Sequence, residues 1–245
     1  MAERAVWIDM ISGIIVAAGR GRRMGASENK VFLKLLGRTV IEHTVAVFEK
    51  CRDIDEIIVV TGKEDILRCK NLLKRTAKRL KIIAGGETRQ QSVYNGIQAA
   101  EGDIVAIHDG ARPLVTPELV SQAVDACRKY KAAALGVPAK DTIKLADADG
   151  FIEKTLERSR TYNIQTPQVF DKELIKKAHE NGKDTEATDD CMLAEADGAR
   201  VKIVDGSYEN IKLTTPEDMT AAEAILEKRK IQAKKARREI CVISE

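Results

Sequence analysis

Short apolar runs alternate with amphipathic stretches through the first half of the chain. The apolar runs are rich in Ile and Val and lack polar alternation, which is typical of parallel strands covered on both faces. They predict five strands, at Ser12–Ala17, Glu56–Thr61, Lys81–Ala84, Asp103–His108 and Ala132–Val137.

Helical patterns fill the gaps between these strands. Thr39 and Glu42 form a capping box ahead of an apolar helical run that reaches Phe48. Thr116 followed by Pro117 is an N-cap with proline at the first helical position. Repeated β-α units of this length predict an α/β fold with a doubly wound, mostly parallel sheet. The other predicted helices are Lys63–Arg79, Thr88–Ala100 and Pro117–Lys131.

The alternation stops after Val137. Thr142–Leu145 alternates polar and apolar residues, Asp149-Gly150 is a hairpin turn signal, and Phe151–Leu156 follows it. A two-stranded excursion is only marginally stable alone in water, so we expect residues 139–160 to form a projecting β-arm that packs on a second subunit. The chain is then expected to continue through a helix from Asp171, a strand at Arg200–Val204 and a long helix from Pro216.

Length and composition favour one soluble globular domain that covers residues 1–245. The net charge is only +3, from 41 basic and 38 acidic residues, which argues against wholesale binding of nucleic acid. The chain has no apolar run of the ~18 residues that a membrane span needs. We therefore expect a cytoplasmic protein with neither a nucleic-acid nor a membrane partner.

The five cysteines are scattered and form no C-x-x-C pair, and the three histidines are equally dispersed. This distribution fits reduced thiols better than a disulfide framework or a zinc site. Any metal ion is expected to be bound by oxygen ligands.

The most informative motif is Ala17–Arg23, which reads Ala-Ala-Gly-Arg-Gly-Arg-Arg and directly follows the first strand. Glycines let backbone N–H groups approach an anion closely, and arginines bind phosphate oxygens in a planar fork. Gly85-Gly86 and His108–Pro113 follow two other strands. Since ligands of such sheets bind at the carboxyl ends of strands, the three loops are predicted to form one polyphosphate site.

Spacing separates this motif from other glycine-rich loops. A dinucleotide fingerprint requires G-x-G-x-x-G, but Met24 stands where the third glycine should be and Gly25 comes one place late. A P-loop would need Gly-Lys followed by Ser or Thr, which is absent. The remaining pattern, A-A-G-x-G-x-R-M with Lys30 after it, resembles nucleotidyltransferases that join sugar or polyol phosphates to nucleoside triphosphates.

Further motifs narrow this resemblance. In order along about Ile14–Ile225, the chain resembles the 2-C-methyl-D-erythritol 4-phosphate cytidylyltransferases. The resemblance rests on Ala17–Met24, Lys30, Gly85–Arg89, Ser92, His108–Pro113, Thr166–Gln168 and Asn210–Lys212. It implies a nucleotide-diphospho-sugar transferase-like, Rossmann-type fold and a Mg²⁺-dependent homodimer of the non-mevalonate isoprenoid pathway. The implied reaction transfers CMP from CTP to methylerythritol phosphate and releases pyrophosphate.

The resemblance also assigns roles to individual residues. The implied catalytic residues are Arg23, Lys30, Arg158 and Lys212, the first two acting on the triphosphate and the last two on the 4-phosphate. The implied CTP-binding residues are Ala17, Ala18, Gly19, Gly21, Gly86, Glu87, Arg89, Ser92, Asp109 and Gly110, with Asp109 also the Mg²⁺ ligand. The implied methylerythritol phosphate contacts are Arg112, Thr142, Thr166 and Thr188. One departure is Asn29, because the family usually has proline there, which leaves the stiffness of this loop open.

The chemistry can also be argued from the substrates. A phosphomonoester has a second pKa of about 6, so its attacking oxygen is already anionic at neutral pH and needs no general base. No histidine or carboxylate pair stands out as a base, and His108 is expected to be a packed strand-end residue. Catalysis is therefore expected to consist of positioning and of cationic stabilisation of the phosphoryl charge.

Three alternatives remain open at this point. A ribitol-5-phosphate cytidylyltransferase would share the fold, the CTP chemistry and most of the motifs. A non-catalytic nucleotide sensor would keep the cleft, although the presence of both Arg23 and Lys30 argues against it. An RNA-binding protein would use the basic run Lys228–Arg238, which we interpret instead as a solvated helix end.

Overall fold

A computed structural model describes residues 9–19 and 29–243, with side chains as far as residue 235. The strands are β1 (Ile11–Val16), β2 (Lys34–Leu35), β3 (Arg38–Thr39), β4 (Glu56–Thr61), β5 (Arg79–Ala84), β6 (Ile104–Asp109), β7 (Ala132–Pro138), β8 (Lys144–Ala146), β9 (Ile152–Thr155), β10 (Tyr162–Asp171) and β11 (Lys202–Asp205). The helices are α1 (Val40–Lys50), α2 (Ile66–Leu72), α3 (Arg89–Ala99), α4 (Pro117–Tyr130), α5 (Lys172–Asn181), α6 (Asp190–Ala196) and α7 (Pro216–Ile243).

Seven strands form the main sheet in the order β11-β7-β10-β6-β1-β4-β5. All neighbouring pairs are parallel except the two that involve β10, which runs antiparallel to both β6 and β7. Helices cover both faces. The predicted α/β class with a doubly wound, mostly parallel sheet is confirmed.

The core lies on the two faces of this sheet. On one face, α1 and α4 pack through residues such as Phe48 and Val124. On the other face, α3, α5 and α6 pack through residues such as Ile97, Ile175 and Leu193. The central strands β1, β4 and β6 contribute side chains to both layers, which explains their uninterrupted apolar runs.

Strand β10 is the main-sheet element that the sequence pattern did not predict, and the short strands β2 and β3 and helix α6 were not predicted either. It contains Pro167, and proline in a run normally argues against a central strand because it cannot donate to the ladder. The chain accommodates it with an irregularity: the pairing register with β7 shifts between Ile164 and Gln168, around the cis Thr166–Pro167 peptide. The strand thereby brings Thr166 between β6 and β7, next to the carboxyl end of β6.

The helix predicted over Lys63–Arg79 is too long. A 3-10 turn, Lys63–Asp65, leads into α2, which ends at Leu72. Tertiary contacts explain the early end, because the Lys78 ammonium donates to main-chain carbonyls of Phe48, Cys51 and Ile54. These bonds hold the segment before β5 against the end of α1.

The predicted hairpin is present as the antiparallel pair β8 and β9, separate from the main sheet. Its apolar side chains face solvent in the single chain: Phe151 is 72% exposed and Ile152 is 66% exposed. Such exposed large apolar residues are what an intersubunit contact would cover. The role of residues 139–160 as a dimer arm stays a prediction.

Helix α7 packs on the protein through a small separate cluster that includes Leu35, Leu114 and Ala222. Two of its basic residues, Lys228 and Arg229, pair with Glu209, so this part of the basic run is held by an acid of the same chain. Across the described residues, the helices include none whose length and apolar character would suit a membrane crossing.

Candidate active site

The three loops predicted to converge do meet at the carboxyl edge of the sheet. They enclose a cavity of about 750 Å³. Of the residues predicted from the sequence, those lining it are Ala17, Ala18, Gly19, Lys30, Gly86, Glu87, Arg89, Ser92, Asp109 and Lys212. Since these come from five separate segments, the cavity is a product of the fold rather than of one loop.

The loop after β5 is packed tightly against the start of α3. A side chain on Gly85 would lie 2.6 Å from Ala18 Cβ and 2.7 Å from Ser92 Oγ, so only glycine fits there. The Ser92 hydroxyl donates to the Thr88 carbonyl and accepts from the Gly86 N–H at 3.1 Å. These bonds fix the backbone of the Gly86 loop along one wall of the cavity.

The Asp109 carboxylate lies at the end of β6 with three cations around it. Lys212 Nζ is 2.8 Å from Oδ2, Arg89 Nε is 3.5 Å from Oδ1, and Arg112 Nε is 3.8 Å from Oδ2. Burial alone would raise the pKa of Asp109, but Arg89, Lys212 and Arg112 outweigh it and hold that pKa well below its usual range. The group is therefore a permanent negative charge among three positive ones.

A second, fully buried acid fixes the other side of Arg89. Asp190 Oδ2 is 2.9 Å from the Arg89 guanidinium, and its Oδ1 is 3.1 Å from His179 Nε2. The Gln168 carboxamide accepts from the backbone N–H of Asp190. Although burial would raise the pKa of Asp190, Arg89 and His179 lower it. Arg89 is thus held between two carboxylates at the start of α3.

His108 is buried, as expected, and its hydrogen bonds define its tautomer. Because the Arg112 carbonyl can only accept, His108 Nε2 carries the proton and donates to it at 3.0 Å. Nδ1 then accepts from the Thr166 hydroxyl, whose oxygen accepts from the Asp109 N–H. Burial lowers the pKa of His108 to about 4, so the ring stays neutral. It links Arg112, which follows Asp109 in the chain, to Thr166 of β10, which binds the Asp109 N–H.

A second cavity of about 220 Å³ adjoins the first and shares part of its wall. Arg89, Asp109 and Lys212 line both cavities. The residues predicted for the second substrate that line the smaller cavity are Arg112, Thr166 and Thr188. The two cavities therefore meet at the charged side chains of Arg89, Asp109 and Lys212.

Comparison with known proteins agrees with this geometry. Residues 11–228 match the family model described as 2-C-methyl-D-erythritol 4-phosphate cytidylyltransferase. The chain belongs to this family. It is 52% identical to the enzyme of that name from Caldanaerobacter subterraneus subsp. tengcongensis, over 89% of this chain and 99% of the relative. The corresponding relative from Clostridium acetobutylicum is 44% identical, over 91% of this chain and 100% of the relative.

Solved structures give the same result. The crystal structure of 4-diphosphocytidyl-2C-methyl-D-erythritol synthase from Anaerococcus prevotii superposes with a TM-score of 0.81 at 38% identity. The match covers 90% of this chain and 99% of that one. The predictions of the family, the fold and a cytidylyltransferase activity are thus confirmed, and the ribitol-phosphate alternative is not favoured.

Some predicted site residues of this cytidylyltransferase do not line either cavity. Arg158 and Thr142 are exposed and belong to the segment around the β8–β9 hairpin. Gly110 lies behind the first cavity, where its N–H donates to the Val16 carbonyl and its carbonyl accepts from Thr44. Gly21 and Arg23 lie outside the described residues.

Other residues line the cavities without having been predicted. Asn29 had been noted only as a departure from proline, yet it lines the larger cavity. Gln168 and Asp189 line the smaller one, where the Gln168 amide donates to Asp189. The signals available for them were the acidic pair directly after Thr188 and the position of Gln168 at the end of the recognised motif Thr166–Gln168.

The donor set suits a divalent cation bound partly by substrate. Within the described part of the chain, no group of three or more His, Cys, Asp or Glu side chains is close enough to hold a metal ion. One buried carboxylate, Asp109, faces the larger cavity. Mg²⁺ commonly binds through one or two carboxylates together with substrate phosphates, so these residues fit that ion.

The neutral state of His108 predicts a pH dependence of stability. Its pKa is about 4 in the folded protein against an ordinary 6.5, so the unfolded chain takes up the proton more readily. The free energy of unfolding should therefore fall as the pH drops from 6.5 to 4, by up to about 3 kcal/mol. Denaturant unfolding at a series of pH values measures this.

The matched variants are His108→Gln and His43→Gln. His108→Gln removes the titrating group and should flatten this part of the profile. The half-buried His43, whose pKa burial also lowers, contributes with the same sign, and His43→Gln measures its share. An unchanged slope in His108→Gln would contradict the assignment.

Proposed function

We propose that the protein transfers CMP from CTP to 2-C-methyl-D-erythritol 4-phosphate, forming 4-diphosphocytidyl-2-C-methyl-D-erythritol and pyrophosphate. The observation that carries this proposal is the wall shared by the two cavities. Arg89, Asp109 and Lys212 line both, so two anionic substrates bound in them would meet at these charges. The larger cavity has room for the nucleotide, and the smaller one suits a short polyol phosphate.

In the proposed reaction, an oxygen of the polyol phosphate attacks the α-phosphorus of CTP, and the bond to the β-phosphate oxygen breaks. The attacking oxygen is anionic at neutral pH, and His108 is fully engaged in structural hydrogen bonds. The reaction consequently needs no proton acceptor from the protein. The barrier arises because two anions must be brought together, and positioned cations lower this barrier.

We assign Arg23 and Lys30 to the triphosphate and Lys212 to the phosphate of the second substrate, with Arg158 supplied by another subunit. The support for Lys30 and Lys212 is that both line the larger cavity and that Lys212 reaches the smaller one as well. The fixed sequence spacing between Arg23 and Lys30 supports the assignment of Arg23. The tight Gly86–Ser92 wall is proposed to read the cytosine edge through backbone groups.

We further propose that Asp109 holds Mg²⁺ together with phosphate oxygens of CTP. When bound, this ion would neutralise part of the charge on the triphosphate. The side chain of Lys212 contacts the same carboxylate at 2.8 Å, so it is well placed to move toward a neighbouring phosphate.

The proposed assembly is a homodimer of single catalytic domains in the cytoplasm. The exposed apolar residues of the hairpin support an arm that crosses to a partner, and Arg158 and Thr142 lie near that arm. Each active site would then contain residues from two chains. No nucleic-acid or membrane partner is proposed.

The substrate assignment predicts which alcohol drives pyrophosphate release. With CTP and Mg²⁺, methylerythritol phosphate should support faster release than ribitol 5-phosphate, because the smaller cavity is proposed to fit the shorter, branched polyol. A coupled pyrophosphate assay with both alcohols measures the ratio of kcat/KM values. A preference for ribitol phosphate would overturn the substrate while leaving the chemistry intact.

The cation assignment predicts large losses in turnover. Arg23→Ala and Lys30→Ala should each lower kcat by on the order of 10²-fold, because each removes a charge that stabilises the transition state. Lys70→Ala, which removes an exposed lysine from α2, is the matched control and should leave kcat unchanged. Wild-type turnover in Lys30→Ala would refute its role.

If the β-arm forms the dimer contact, substitutions on its apolar surface should abolish dimerisation and activity together. Phe151→Asp with Ile152→Asp places charges on the exposed apolar surface of the hairpin and should yield monomers with little activity. Light scattering gives the mass and pyrophosphate release gives the rate. Full activity in a verified monomer would rule out a site shared between subunits.

A further inference from the structure

Asn29 occupies a special position next to the larger cavity. It directly precedes Lys30 and caps the 3-10 turn Lys30–Phe32, whose residues Val31 and Phe32 are buried. The turn is anchored by these two side chains, and the Arg68 guanidinium lies 4.1 Å from the centre of the Phe32 ring. The burial of these two neighbours therefore anchors the backbone of Lys30 to the core.

The carboxamide of Asn29 makes two hydrogen bonds in opposite directions. Its Nδ2 donates to the main-chain carbonyl of Ala17 at 2.8 Å, and its Oδ1 accepts from the N–H of Val31 at 3.3 Å. A carbonyl can only accept and an N–H can only donate, so the orientation of the amide is unambiguous. Reversing the amide would lose both bonds.

Ala17 is itself held from the other side. Its N–H donates to the Val60 carbonyl at 2.7 Å, which continues the pairing of β1 with β4. The Asn29 bond thus connects the end of a central strand to the turn that carries Lys30.

We infer that Asn29 is a positioning residue for the transfer reaction. Its amide ties the Ala17 carbonyl at the end of β1 to the 3-10 turn and thereby fixes the backbone position of Lys30, the first residue of that turn. This inference rests on the proposed function, because it requires Lys30 to act on the triphosphate. Small displacements of a charged group from its productive position reduce turnover strongly, so the two bonds affect catalysis beyond their effect on stability.

Three substitutions separate the parts of this role. Asn29→Ala removes both bonds and should lower kcat about tenfold while changing the KM for CTP less. Asn29→Asp keeps an acceptor for Val31 but places a carboxylate against the Ala17 carbonyl, so it should be at least as impaired. Asn29→Pro should recover part of the loss, because the native φ of −63° is the angle that proline imposes.

The control is Asn181→Ala, which removes an exposed amide bond to Asp197 at the end of α5. It should leave kcat unchanged. Circular dichroism and thermal unfolding verify that each variant is folded. If Asn29→Ala retains wild-type kcat, the positioning role is wrong, whereas an Asn29→Pro variant as impaired as Asn29→Ala would assign the role to the two hydrogen bonds alone.

A double-mutant cycle with Lys30→Ala distinguishes failure of this inference from failure of the proposed function. If Asn29 acts through Lys30, adding Asn29→Ala to Lys30→Ala should lower kcat little further. If the two losses multiply in full, Asn29 does not act through Lys30 and the inference fails although Lys30 remains catalytic. If Lys30→Ala alone is fully active, the assigned role of Lys30 fails, and the inference fails with it.

Discussion

The buried carboxylate of Asp109 controls how the charged segments of this protein come together. Arg89 begins a helix, Arg112 follows β6 and Lys212 precedes α7, yet all three approach the same two oxygens. Without a negative charge at this point, three cations would repel one another at short range. Asp109 therefore allows three positively charged side chains to lie close together, where they can bind a polyphosphate.

The same constraint extends inward from the cleft. Arg89 is shared by Asp109 and the buried Asp190, and Asp190 is shared by Arg89 and His179. Charges of opposite sign thus alternate from Asp109 through Arg89 to Asp190, which in turn contacts His179 of α5. His108 differs from these groups, because it stays neutral and is held only by hydrogen bonds to Arg112 and Thr166. Both arrangements hold the donors and charges in place before a ligand arrives, which is the property that lowers a barrier made of charge repulsion.

Sequence reasoning succeeded where a local signal had one structural meaning. Uninterrupted apolar runs indicated buried parallel strands, and the rule on strand ends then placed three loops together. It failed at β10, because Pro167 argues against a central strand and only the irregular pairing with β7 accommodates it. It also failed at α2, because the segment after it is held by hydrogen bonds from Lys78 to main-chain carbonyls at and after the end of α1. Asn29 was recognised as a departure, but its partner Ala17 could not be inferred from spacing.

What the sequence determined by itself was most of the strands and helices, the glycine-rich loops and the inventory of charges, since these follow from short-range periodicity and residue chemistry. The tertiary structure alone decided the order of the strands, the insertion of β10 between β6 and β7, and the meeting of Lys212 with Asp109. Each of these joins residues far apart in the chain. Their proximity depends on which faces pack together and which loops can close, and one-dimensional patterns do not encode that choice.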